Sequence, residues 1–319
     1  MSPVVLLGHT GFIGKPLFDR LQPDVQGFAS KTLDLRDPAA LSRLDGVVDA
    51  STTLIVTSAL TPDKGATIDT LSQNFAMAAN LGRYLEQHPV GRCVYLSSDA
   101  VYPMLDEPVT EAGPVEPSNF YALAKYTAER VLQHAATPAG FPLLILRPTG
   151  VYGPGDTHNS YGPNRFVRSI VQERTVRLFG EGEERRDHLF LDDVVRLVTH
   201  LAFGDVTGVL NVASGDSRTF MSVVDDLREI VPYEFKLETT PRRTPITHRE
   251  FDLTRLHAAL PEFRLPRFER ACAAPSKPRD RGQPSRSLPA LEAPDRRARR
   301  GRPAAARGRQ TFRPRVLRW

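Results

Sequence analysis

The sequence predicts an α/β protein built on a doubly wound parallel sheet, and three observations carry that expectation. Short apolar runs alternate with longer amphipathic stretches along the first 150 residues, as strands and crossover helices do. The runs Val4-Val5-Leu6-Leu7 and Leu143 to Arg147 are apolar without alternation, the mark of strands covered on both faces. Three glycines, Gly8, Gly11 and Gly14, lie between the first run and the first amphipathic stretch.

Taken in order, Val4 to Leu7 is a strand, and Leu17, Phe18 and Leu21 give the following helix its apolar face. Val25 to Ala29 reads as a second strand. Asp34 to Leu44 reads as a short helix, with Pro38 where a first turn tolerates it. Val47 to Ser58 is a strand region, Ile68 to Gln87 a long helix, and Arg92 to Ser97 another buried strand. Phe120 to Ala136 is a helix leading into the strand Leu143 to Arg147. After Pro148 the clusters Gly153-Pro154-Gly155-Asp156 and Tyr161-Gly162-Pro163-Asn164 are loops rather than a regular crossover. Helices near Phe166 to Gln172, Asp192 to Ala202 and Ser222 to Ile230 follow, with strands at Val176 to Phe179 and Gly208 to Val212. The expected organisation is a cofactor-binding domain over 1–155, with elements returning at about 187–213. A smaller, mainly substrate-binding region covers 156–268, and a basic, disordered tail covers 269–319.

Charge is divided along the chain. Of 42 Lys+Arg and 37 Asp+Glu, 15 and 3 fall from Arg270 onward, which leaves 27 against 34 before it. The body is therefore mildly acidic, and nucleic acid is not an expected partner of the fold, although the tail alone could meet an acidic one. No run of eighteen apolar residues marks a membrane span, and two cysteines, Cys93 and Cys272, supply neither a disulfide framework nor a metal cage. A cytoplasmic, metal-free protein is expected.

The chemistry is carried by three segments. Gly8-x-x-Gly11-Phe12-Ile13-Gly14 places a tight turn and a helix N-terminus where backbone N–H groups meet an anion, so a dinucleotide is the expected cofactor. The second strand ends Phe28-Ala29-Ser30-Lys31 without a carboxylate; Ser30 and Lys31 suit a 2′-phosphate, which favours NADP over NAD. Asp34, twenty residues after Gly14, keeps NAD open, and Asp34 and Leu35 are the expected adenine-side contacts. Tyr121-Ala-Leu-Ala-Lys125 sets a phenol and an ammonium one helical turn apart, an arrangement expected to lower the phenol's pKa and to serve hydroxyl–carbonyl interconversion. Ser98 follows a buried strand, at the edge where ligands of open sheets collect.

With Leu96-Ser97-Ser98-Asp99-Ala100-Val101-Tyr102-Pro103, Leu146-Arg147-Pro148-Thr149-Gly150-Val151-Tyr152-Gly153-Pro154-Gly155 and Gly182-Glu183-Glu184-Arg185-Arg186-Asp187, these segments make the chain resemble the extended short-chain dehydrogenases/reductases. Within them it is similar to the NAD-dependent epimerase/dehydratase family, over roughly residues 3 to 265. The resemblance implies a Rossmann fold, a catalytic triad of Ser98, Tyr121 and Lys125, and cofactor contacts from Ser58 and from Pro148 in a cofactor-side loop. It matches Asn74 to an asparagine in the helix before the serine strand, and it implies substrate contacts from Asn164 and Arg186, with a nucleotide sugar as substrate. Asp99 is a substrate acid/base or a polar loop residue. The family's 4,6-dehydratases carry an Asp-Glu or similar pair after the triad serine or threonine, whereas Ala100 follows Asp99 here, so an epimerase or epimerase/reductase is expected. A reductase of a non-sugar carbonyl and a catalytically silent cofactor sensor stay as alternatives, and a homodimer is left open.

Overall fold

A computed structural model describes residues 3–263 and 265. The expected tail, 269–319, lies outside them. The chain runs β1 (Val4–Leu7), α1 (Gly14–Leu21), β2 (Val25–Phe28), β3 (Thr53–Val56), α2 (Ile68–Gln87), β4 (Arg92–Leu96), α3 (Phe120–Ala139) and β5 (Leu143–Pro148). It continues through β6 (Gly150–Tyr152), α4 (Pro163–Glu173), β7 (Thr175–Phe179), β8 (Arg185–Arg186), β9 (His188–Phe190), α5 (Leu191–Ala202) and β10 (Gly208–Val212). It closes with β11 (Arg218–Thr219), α6 (Phe220–Ile230), β12 (Lys236–Thr240) and α7 (Thr254–Ala259).

Six strands form one sheet in the order β10-β5-β4-β3-β1-β2, every neighbour parallel. The chain builds outward from β1 to β2, then returns to place β3 on β1's other side. The carboxyl ends of β1 and β3 therefore flank the point where strand order reverses, the place such sheets keep for a ligand. Side-chain alternation sorts the sheet's two faces. Val5, Leu7, Leu54, Val56, Tyr95 and Ile145 pack under α2 and α3 with Leu81, Leu85 and Leu132. Val4, Leu6, Ile55, Val94, Leu96 and Leu144 pack on the other face against α1 and α5. Both faces are covered, which is why these strands read as unbroken apolar runs. A separate core of Phe166, Ile170, Val176, Leu178, Phe220 and Leu227 joins α4, α6 and β7 beyond the sheet.

Several boundaries differ from the sequence reading for local reasons. The helix expected from Asp34 begins at Pro38 as a 3-10 helix to Leu44, because the Asp37 carboxylate caps Ala39 N. The strand region Val47 to Ser58 contracts to β3, since Asp49 folds the preceding residues into a turn by accepting from Ser51 and Thr52. Pro148, expected in a loop, is the buried last residue of β5 opposite Val212. The expected readings omitted β12, a largely exposed polar strand parallel to β7, and the two- and three-residue pairs β8–β11 and β6–β9. None of these carries an apolar repeat long enough to register.

Candidate active site

The turn between β1 and α1 is made of backbone held too close for side chains. Gly8 N donates to Phe28 O at 2.7 Å and Gly11 N to Gly8 O at 3.0 Å. Gly8 has φ +94°, and a Cβ there would stand 2.6 Å from Thr57 Oγ1. A Cβ on Gly14 would stand 2.0 Å from Gly8 O. Thr57, at the end of β3, donates its hydroxyl to Leu7 O at 2.9 Å and so ties the two strand ends together. No side chain caps the N-terminus of α1 at Ile13. An uncapped helix start behind a bare glycine cradle, at the sheet's switch point, fits a dinucleotide pyrophosphate. Phe12 and Ile13 pack partly buried beside α1, and the Phe12 ring meets His158 edge-on at 6.0 Å.

Beyond β2, Ser30 and Lys31 lie in a turn closed by Thr32 and Ala29, with Lys31 exposed. Asp34 is not a free carboxylate. Arg36 grips both its oxygens, with Nη2–Oδ2 at 2.7 Å, and this hydrogen-bonded pairing holds Asp34 below the usual carboxylate range. Leu35 is buried, and Asn80 on α2 fixes its backbone by donating to Leu35 O at 3.0 Å.

A pocket opens between the sheet's carboxyl edge, α2 and α3. It brings Leu35, Ser58, Tyr121 and Lys125 together, and adds Asn74 and Tyr95. Ser30, Lys31, Asp34, Ser98, Pro148 and the residues of the glycine turn do not line it. Asn74 is engaged in structure: its amide accepts from Leu60 N at 2.8 Å and donates to Leu60 O at 3.0 Å, clasping the segment after β3 to α2. Asn119 caps α3 by accepting from Ala122 N at 3.0 Å, which sets Tyr121 and Lys125 in the first turns of the helix. Lys125 Nζ lies 5.1 Å from the Tyr95 ring centroid and 5.9 Å from that of Tyr121, and donates to Leu96 O at 2.7 Å. Ser98 starts a 3-10 turn, its hydroxyl accepting from Ala100 N at 3.1 Å.

The electrostatics of this pair differ from the expectation. Burial pushes the Tyr121 phenol up to about 12, the Asp99 charge adds to that, and a Ser98 hydrogen bond opposes it. The anticipated lowering by the lysine is not found, because burial outweighs it; burial also pulls Lys125 itself down to about 8. At neutral pH the phenol keeps its proton and the lysine its charge.

On the substrate side, Asp99 meets Arg249, which lies between β12 and α7, at 3.1 Å. Arg249 also donates to the carbonyls of Tyr102 and Pro103 and is itself buried. Burial raises the Asp99 pKa and Arg249 opposes the shift. Arg186 donates to Thr247 O at 2.7 Å, within the electrostatic reach of Asp99. Asn164 accepts from Gly153 N at 3.0 Å and so pins the loop before α4. His158 sits 2.9 Å from Asp156 and 3.7 Å from Asp63. Sequence reasoning missed Thr57, Tyr95, Asn80 and Arg249. Tyr95 was recoverable, since alternation along β4 puts it on the α2/α3 face; nothing in the spacing of Arg249 announces Asp99. Cys93 is core, its thiol pushed up to about 12 by burial. Among the described residues no helix is long and apolar enough to cross a membrane, and no three His, Cys, Asp or Glu side chains gather to hold a metal.

Fold and glycine turn together define a Rossmann-type enzyme of the extended short-chain dehydrogenase/reductase class, dependent on NAD(P). Within it the chain belongs to the NAD dependent epimerase/dehydratase family, whose sequence profile matches residues 4–213. It is 24% identical over 294 residues to GDP-L-fucose synthase of Escherichia coli (strain K12), covering 80% of this chain and 89% of that one. It is 32% identical over 144 residues to dTDP-D-glucose 4,6-dehydratase of Mus musculus, a match that takes in 44% of this chain and only 39% of the mouse protein's length. The structure of RMD from Pseudomonas aeruginosa complexed with NADPH superposes with a TM-score of 0.73 at 24% identity, covering 85% of this chain and 96% of that one.

Proposed function

We propose that this protein is an NADP(H)-preferring epimerase or epimerase/reductase acting on a nucleotide-activated sugar in the cytoplasm. The observation that carries the reading is the convergence of Tyr121, Lys125 and Ser58 in one pocket at the sheet's carboxyl edge. Residues 1–155, with 187–213, would hold the cofactor and 156–268 the sugar nucleotide, without a membrane or nucleic-acid partner.

NAD(P), when bound, supplies reversible hydride exchange at the substrate carbon that bears the reacting oxygen. The backbone of Gly8 to Gly14 would receive its pyrophosphate, Lys125 its nicotinamide ribose, and Ser58 and Pro148 its nicotinamide end. Leu35 and Asp34 would flank the adenine. Exposed Lys31, with Ser30, would neutralise a 2′-phosphate, and the Arg36 grip on Asp34 supports that choice by removing the carboxylate an adenosine ribose would need. Tyr121 Oη donates its proton to the substrate carbonyl oxygen, or takes it back from the hydroxyl, while Ser98 orients that oxygen. Lys125 as an ammonium favours the phenolate left behind. Arg186 and Asn164 would face the sugar nucleotide's diphosphate, and Asp99 would act as an acid/base toward the sugar. Ala100 beside Asp99 argues against water elimination.

The test is a panel of nucleotide sugars assayed with NADPH and NADH, with sugar inversion followed by NMR and cofactor oxidation by absorbance. Tyr121→Phe should lose roughly 10²–10⁴-fold in turnover while binding NADPH as the parent does. Turnover retained in Y121F, or no reaction with any nucleotide sugar, would refute the reading.

A further inference from the structure

Tyr121, Lys125 and Glu129 follow at four-residue intervals on α3, so all three share one helix face. The function proposed above uses only the first two. Glu129 is 1% exposed and meets Arg147, 3% exposed, in a two-pronged ion pair: Nε to Oε1 at 2.9 Å, and Nη2 to Oε2. The Ser97 hydroxyl donates to the same Oε1. The Arg147 guanidinium lies 4.7 Å from the Tyr102 ring centroid, and Tyr102 Oη donates to Asn211 at 2.7 Å. Burying a carboxylate and a guanidinium is costly, and well-packed apolar side chains would fill the same space as stably or better. The pair therefore calls for a role besides stability.

Its position supplies one. Glu129 sits one turn beyond Lys125 on α3, Ser97 immediately precedes Ser98, and Arg147 immediately precedes Pro148. One carboxylate thus joins the ends of β4 and β5 to the helix that carries the lysine. The other groups around Lys125 offer it dipoles and rings rather than a counter-ion. β4 contributes the Tyr95 ring and the Leu96 carbonyl, α3 contributes Tyr121, and α2 lines the pocket with uncharged side chains. Asp99 is committed to Arg249. Burial pulls Lys125 down to about 8, and the Glu129 charge is what opposes that pull.

We infer that Glu129 is a positioning residue for Lys125: its buried carboxylate, locked by Arg147 and Ser97, supplies the negative charge that keeps the lysine an ammonium beside Tyr121. This rests on the function proposed above, in which the ammonium is the working form.

The test needs no substrate. The full-length protein is trace-labelled with acetic anhydride across pH 6 to 11, and mass spectrometry of the Lys125 peptide gives the midpoint of its titration. The parent should titrate near 8, Glu129→Gln about one pH unit lower or more, and the charge-keeping Glu129→Asp close to the parent. A folded E129Q protein with an unchanged midpoint overturns the inference. If circular dichroism shows that E129Q does not fold, the E129Q/R147Q double variant is compared with R147Q, which differs from it only in keeping the carboxylate; a midpoint below that of R147Q supports the inference and an equal one overturns it. In turnover, E129Q should lose activity at neutral pH and recover it as pH falls. A lowered midpoint in a protein that turns over no nucleotide sugar would sink the proposed function and leave this inference standing.

Discussion

At the scale of single residues, the site works by leaving some side chains out and burying others. Gly14 is the sharpest case, because any Cβ would overlap the Gly8 carbonyl. Gly14→Ala should cost about 1–3 kcal/mol by overpacking in urea unfolding and should abolish measurable NADPH binding by calorimetry. On the proposed NADP(H) preference, Lys31→Glu should weaken NADPH binding about tenfold or more, the loss of one charge-assisted contact, with NADH binding unaffected in fluorescence titration. Most of these residues were legible in the sequence, since glycine spacing, a strand-end serine and a Tyr–Lys turn are local patterns. Charge states were not legible. The phenol's upward shift follows from burial and from Asp99, and neither can be read from a four-residue spacing.

At the scale of elements, the segment between β12 and α7 shapes the site as much as the strands do. Arg249 braces the turn after Ser98 by binding the Asp99 side chain and the carbonyls of Tyr102 and Pro103. Arg249→Ala leaves a buried carboxylate without its counter-charge, and the expected loss is about 3 kcal/mol by urea unfolding. The D99N/R249Q double variant should lose clearly less, because neither partner is stranded as an ion. Long elements with a strong apolar repeat, such as α2 and the sheet strands, were legible in the sequence. The β12 strand was not: Lys236-Leu-Glu-Thr-Thr pairs along one edge and buries little, so its pairing depends on β7, sixty residues earlier.

At the scale of the whole molecule, two bases add to how stability follows pH, beside Asp99, Asp187 and Asp193, whose raised pKa values act the other way in acid. His188 is pushed down to about 4, by burial first and then by the Arg186 charge. Between its ordinary value and about 4, the unfolded chain binds a proton that the folded one does not. Stability is therefore full above the ordinary histidine range and falls as pH drops toward 4, by on the order of 3 kcal/mol. Lys125 has the same sign at the other end: the folded protein sheds its proton near 8 and the unfolded chain near 10.5, so its share of stability rises over that window. Urea unfolding at pH 7 and pH 4.5 should show the acid loss, and His188→Gln should flatten it. The parallel sheet was legible at this scale from the strand–helix alternation. The second core, shared by α4, α6 and β7, was not, because its residues come from stretches separated by loops and no local period links them.

The β6–β9 pair puts Gly150 beside His188, so the chain leaves the sheet and re-enters it through one narrow doorway. Strung between those two posts are α4, β7 and β8, whose apolar side packs on α6 from beyond β10. A change of lining in that excursion has to be met on α6, which closes the same core from the far side of β10.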